Sequence, residues 1–120
     1  MQKQQQDWKQ KYQEKIVTTA TAIRHIKSGD SIFIGTGCAQ PQELVKALVE
    51  HSDHIYDAHI VHLLTVGEAP YVDEKFWDKF KMNSFFVADN VRHALNKGVG
   101  DYTPIFLSEI PDEFNSGRIP

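Results

Sequence analysis

A single cysteine, Cys38, in 120 residues excludes an intrachain disulfide and matches a reducing, cytoplasmic setting. Apolar runs are only a few residues long, far below the ~20 needed to span a membrane. The amino-terminal stretch MQKQQQDWKQKYQEK lacks the apolar core of a secretory signal. Net charge is −3, and no block of five or more like charges occurs. That removes the electrostatic reason to expect nucleic acid or an anionic membrane as partner. A pocket for a small anion is still allowed, because it needs only a few local donors. The six histidines come with no His-Glu-x-x-His motif and no second cysteine, so a metal site is not expected. His51 and His54 lie near a helix end, whereas His59 and His62, three apart on a strand, should face opposite sides.

What remains is an ordinary globular composition, 41% hydrophobic and 24% charged, consistent with one domain. Trp8 and Tyr12 stand four apart, which would place them on one face of a short docking helix within residues 1–17. Thr18 or Thr19 can cap a helix carrying Ala22, Ile23 and Ile26, which stops at Ser28-Gly29-Asp30. Ser31-Ile32-Phe33-Ile34 reads as a buried strand, followed by a loop from Gly35 to Pro41. Leu44, Val45, Leu48 and Val49 recur at helical spacing, so a helix starts near Pro41.

A second strand is expected over 59–66. Phe76, Trp77 and Phe80 carry helical spacing over 72–81, as core or an interdomain face, and 84–88 reads as a third strand. Asn90 is positioned to cap a helix over 91–97 that ends at Gly98. A fourth apolar run covers 102–107, and a short helix follows over 111–115. Alternation of this kind predicts an α/β fold with a mostly parallel sheet flanked by helices. The next element due after Pro120 is a strand, which makes a truncated chain the expectation.

Ligands in open α/β sheets sit at the carboxyl ends of strands, which is where Gly35 to Pro41 falls. Two glycines allow close backbone approach, and the following helix start offers N–H donors suited to a carboxylate, a phosphate or a thioester oxyanion. No Gly-Lys-Ser/Thr follows, so this is not a Walker loop, and the third glycine of the dinucleotide fingerprint is absent. Cys38 could act as a nucleophile but has no assigned base, and is more simply a small packing residue. Glu68, Asp89, Asp101 and Glu109 lie near predicted strand ends; most carboxylates so placed are solvated or cap a helix.

Three segments carry a family resemblance over about residues 12–120. They are Ile34-Gly35-Thr36-Gly37-Cys38-Ala39-Gln40-Pro41 followed by Leu44 and Leu48, then Ile60-Val61-His62-Leu63 with Gly67, and the stretch from Phe86 to Pro111. The last, with Asn90-Val91-Arg92-His93-Ala94 and Asp101-Tyr102-Thr103-Pro104-Ile105-Phe106-Leu107-Ser108-Glu109-Ile110-Pro111, is the most specific. Together they resemble the amino-terminal part of the acetyl-CoA hydrolase/transferase family, which includes the 4-hydroxybutyrate and butyrate CoA-transferases.

The resemblance implies a CoA-transferase-like α/β domain over 18–120, the N-terminal half of a two-domain enzyme. It implies a ping-pong reaction in which a glutamate attacks an acyl-CoA and forms a glutamyl-CoA thioester. That glutamate belongs to the family's carboxyl-terminal half, so no catalytic residue is assigned to this chain, Glu109 included. What carries over is one wall of the acyl and carboxylate pocket: Gly35, Gly37, Gln40 and Pro41, with His62. Coenzyme A thioester is then a substrate and no cofactor is permanently bound. The implied partners are acyl-CoA, a small carboxylate (acetate, butyrate or 4-hydroxybutyrate) and the chain's own C-terminal domain, with homo-oligomerisation allowed. From the residues alone, a free-standing α/β module holding a small anion or nucleotide at the glycine loop remains the alternative.

Overall fold

The computed structural model describes residues 8–119; the start of the expected amino-terminal helix lies outside them. The first described helix, α1 (Trp8–Tyr12), runs into a 3-10 turn at Gln13–Lys15, with Trp8 and Tyr12 both exposed. Thr18 caps α2 (Thr19–Ile23), its hydroxyl accepting from the Thr21 amide at 3.2 Å. Such a cap contributes about 1 kcal/mol. Strand β1 (Ser31–Ile34) follows, then α3 (Gln42–Glu50), β2 (Ala58–His62), β3 (Phe80–Ser84), α4 (Asp89–Asn96), β4 (Gly100–Tyr102) and α5 (Ile110–Asn115).

Among the described residues the four strands form one all-parallel sheet in the order β1-β2-β3-β4. This is the α/β architecture that the alternation of elements demands. The pleat sends alternate side chains to opposite faces. Ile34, Ala58, Ile60, Phe80 and Met82 join the principal core with Ile23 of α2, Val45 and Leu48 of α3, and Val91 and Ala94 of α4. The other face is thinner: Val61 packs with Phe85 and Ile119, and Phe33 meets Phe114 of α5 edge-on at 5.6 Å. Among the described residues β1 is an edge strand. Beside it runs an apolar groove lined by Ile26, Ile32, Phe33, Leu44 and Leu48, among others. No described helix is long and apolar enough to cross a membrane.

Four elements differ from the sequence reading. The helix expected over 72–81 is replaced by 3-10 turns at Pro70–Val72 and Glu74–Phe76, and Phe80 opens β3. The aromatic spacing is met instead by a turn packed on a strand, with Phe76 and Phe80 rings 6.2 Å apart. The Trp77 indole donates to the Val72 carbonyl at 2.9 Å, which fixes the turn. The third strand therefore lies four residues earlier than expected, because Phe80 pairs in register with Ala58. After Ser84 only the Phe85 and Phe86 amides continue the pairing with the neighbouring chain, and the Phe85 side chain enters the second core. Strand β2 ends at His62, short of the expected 66, and β4 is only Gly100–Tyr102.

Candidate functional site

Two loops leave the carboxyl ends of β1 and β2 side by side. They are joined by hydrogen bonds that continue the sheet after the strands have ended. The Gly37 amide donates to the Leu64 carbonyl at 2.9 Å. Between them the Thr36 hydroxyl acts as a surrogate peptide: it donates to the Leu64 carbonyl (3.0 Å) and accepts from the Leu64 amide (3.1 Å). Further out, the buried Gln40 side chain bridges to the second loop. Its Nε2 donates to the Glu68 carbonyl at 2.8 Å, and its Oε1 accepts from the Gly67 amide at 3.2 Å. A third contact comes from α4, where Asn90 Nδ2 donates to the Gly67 carbonyl at 2.7 Å.

The glycines have distinct local reasons. Gly37 has φ +54°, a left-handed conformation that starts the 3-10 turn Gly37–Ala39, and the space beside it is open. Gly35 is instead crowded: a Cβ there would stand 2.8 Å from the Ala39 carbonyl oxygen. A backbone oxygen cannot swing aside, so Gly35→Ala should displace the turn and cost about 1–3 kcal/mol in urea unfolding. Gly37→Ala meets no atoms and should cost only the conformational penalty, about 1–2 kcal/mol. Equal losses at the two positions would remove the steric argument.

Beneath the loops lies a buried polar floor. His62 is fully buried, and its side chain points into the principal core beside Tyr71, with ring centres 6.2 Å apart. Ser84 Oγ donates its hydrogen to the Phe86 carbonyl at 2.5 Å and stands 3.3 Å from His62 Nδ1. With that hydrogen committed, Ser84 offers His62 a lone pair. The neutral ring then carries its hydrogen on Nδ1 and leaves Nε2 bare. Nε2 is buried and finds no hydrogen-bond partner among the described residues. Burial holds the His62 pKa at about 4, against an ordinary 6.5. Burial also pushes the Tyr71 phenol up, opposed by the neighbouring Thr65 hydroxyl. Those two hydroxyls do not reach full hydrogen-bond geometry and, like Nε2, are unsatisfied among the described residues.

The structure thus brings Gly35, Gly37, Gln40, Pro41 and His62 to one end of the sheet, in different settings. Gly35 and Gly37 form the loop, Pro41 is exposed immediately before α3, Gln40 is engaged by the second loop, and His62 lies below the surface. Thr36, Asn90, Tyr71 and Ser84 were not singled out for this site by sequence. Asn90 alone carried a signal, as a helix cap, but α4 begins two residues earlier than expected, at Asp89, and Asn90 reaches Gly67 instead. The other candidates are scattered. Cys38 is exposed, Asp89 pairs with Arg92 at 2.7 Å, and the Glu109 carboxylate accepts from the Phe106 amide at 3.1 Å. His54 contacts the Ile26 carbonyl, and no cluster of His, Cys, Asp and Glu among the described residues could hold a metal ion.

Comparison with known proteins gives the family and the fold. The model of the acetyl-CoA hydrolase/transferase N-terminal domain matches residues 1–120. The chain is 34% identical over 114 residues to 4-hydroxybutyrate coenzyme A transferase of Clostridium kluyveri, covering 95% of this chain and 27% of that protein. It is 41% identical over 88 residues to a succinyl-CoA:acetate/propanoyl-CoA:succinate CoA transferase of Fasciola hepatica, covering 72% and 18%. The crystal structure of RipA from Yersinia pestis superposes with a TM-score of 0.79 at 25% identity, over 89% of this chain and 27% of that one. The chain therefore spans only about a quarter or less of the length of these relatives. With the whole sequence matched and the parallel sheet shared, the chain belongs to the acetyl-CoA hydrolase/transferase family and corresponds to its N-terminal domain.

Proposed function

We propose that this domain forms one wall of the acyl and carboxylate pocket of a cytoplasmic acyl-CoA:carboxylate CoA-transferase, whose glutamate nucleophile lies in a C-terminal domain. The observation that carries the reading is the paired loops at the carboxyl ends of β1 and β2, in a chain whose relatives are named as CoA transferases. Ligands in α/β sheets bind at that end. Gly35 and Gly37 keep the wall free of side chains, so that a substrate carboxylate approaches the backbone; Pro41 borders it. Gln40 and His62 act from behind, Gln40 by holding the second loop and His62 by filling the floor. Residues 18–120 form the domain, preceded by a segment that carries α1. Acyl-CoA and a small carboxylate such as acetate, butyrate or 4-hydroxybutyrate are the substrates, coenzyme A arrives as a thioester, and the C-terminal domain is the partner.

The full-length protein, incubated with acetyl-CoA and butyrate, should form butyryl-CoA and accumulate a thioester on one glutamate, detected as a CoA-sized mass on a C-terminal peptide. Release of CoA without dependence on a carboxylate would make it a hydrolase of the same family. Neither exchange nor release, with any of the three carboxylates, would overturn the reading.

A further inference from the structure

We propose that Asn90 is a positioning residue of this site: with Gln40 it clamps the Gly67–Glu68 turn at the mouth of the sheet and so sets the shape of the carboxylate pocket. The proposal rests on the CoA-transferase reading. Asn90 does not serve its own helix. It stands in the first turn of α4, where a short polar side chain ordinarily serves the helix's own amides. Yet α4 has Ala88 at its cap position, with no side-chain cap hydrogen bond among the described residues. The Asn90 amide group instead crosses 23 residues of sequence to the Gly67 carbonyl at 2.7 Å. Its orientation is fixed, because a flipped amide would set oxygen against oxygen. The cost is visible at the other end of the same group: Oδ1 is buried and has no partner among the described residues. A buried acceptor left unpaired is unfavourable. Asn90 is therefore held in place by what its donor does.

The turn it holds has little other support. Ladder-like backbone pairing beyond β2 runs through Phe85 N to His62 O, Phe86 N to Leu63 O and Gly37 N to Leu64 O, and among the described residues then ends. Past Leu64 the chain is gripped by side chains. Gln40 takes the Gly67 amide and the Glu68 carbonyl, and Asn90 takes the Gly67 carbonyl. Both polar groups of Gly67 are thereby fixed, one from the approach to α3 and one from the start of α4. On either side of Gly67 the turn displays Val66, 62% exposed, and the exposed Glu68. A clamp on the backbone between them sets where those two side chains stand at the mouth of the sheet.

The test uses the full-length protein and two independent readouts. In Asn90→Ala, backbone hydrogen exchange in peptides covering 64–70 should accelerate by about tenfold or more. The Michaelis constant for the acceptor carboxylate should rise by about tenfold, with that for acyl-CoA and the melting temperature nearly unchanged. Asn90→Asp should be worse than alanine, since it sets a carboxylate against the Gly67 carbonyl. Gln40→Glu keeps the acceptor for the Gly67 amide but sets a carboxylate oxygen against the Glu68 carbonyl, and should show the same split. It also serves as the test if Asn90 variants fail to fold. Unchanged exchange in 64–70 would refute the clamp. Faster exchange with kcat and both Michaelis constants unaffected, or falling in parallel with stability, would reduce Asn90 to a structural residue and refute the positioning role. Absence of CoA transfer in the unaltered protein would instead remove the functional reading, while the exchange measurement would still decide the clamp.

Discussion

Incubated by itself with acetyl-CoA and acetate or butyrate, the 120-residue chain should give no CoA exchange above background, several orders of magnitude below the full-length protein. The expectation follows from the CoA-transferase reading, which places the nucleophilic glutamate in the C-terminal domain, and from the settings of the nucleophiles described here. Covalent catalysis needs a nucleophile with an activating partner within hydrogen-bond reach. Cys38 is exposed at a 3-10 turn and makes no hydrogen bond to a base among the described residues. Glu109 is occupied in satisfying the Phe106 amide at the start of a helical turn. Glu68 is exposed on the clamped turn. The buried His62 and Tyr71 lie beneath the loops. Steady turnover by the chain alone, at rates usual for an enzyme, would defeat this expectation and make Cys38 and Glu68 the first positions to mutate.

The second large effect is acid sensitivity carried by His62. Its folded pKa is about 4, set by burial, against 6.5 for an unperturbed histidine. Above 6.5 the ring is neutral in both folded and unfolded chains, and its full contribution to stability is present. As pH falls from 6.5 toward 4, the unfolded chain takes up a proton that the folded chain refuses, so stability is lost across that window. Below about 4 the loss is complete. A separation of this size corresponds to about 3 kcal/mol, a large share of the stability of a small domain.

Urea unfolding at steps between pH 7.5 and 4 should show this decline. Carboxylates contribute to the lower part of the same range. Asp57 beside Lys81, and Glu74 beside Lys97, are both held below the ordinary carboxylate range by their hydrogen-bonded lysines. The informative quantity is therefore the difference from His62→Asn, which keeps a polar atom near Ser84 but cannot charge. That variant should be less stable at pH 7.5 and have a flatter profile between 6.5 and 4. A parallel profile in the two proteins would show that His62 is not the group responsible.

The periodicity of apolar residues was enough to establish alternating strands and helices, because a 2.0 or 3.6 repeat is a local property of the chain. Hence β1, α3 and α4 lie close to where the sequence puts them, and the glycine loop falls at the carboxyl end of β1. The opposite orientation of His59 and His62 was legible for the same reason: the pleat buries His62 and leaves His59 half-buried. The Phe76-Trp77-Phe80 spacing misled because a 3-10 turn packed on a strand satisfies the same intervals; β2's register, pairing Ala58 with Phe80, chose between them. Gln40 and Asn90 show the limit most plainly. A glutamine before a helix and an asparagine at the start of another read locally as a pocket donor and a cap. Their partners lie 28 and 23 residues away in sequence, on a turn that meets them only once β1, β2 and β3 are side by side. Sequence determined which polar groups stand near the strand ends; only the packed sheet decided which of them bind one another, because a hydrogen bond requires contact that no local pattern encodes.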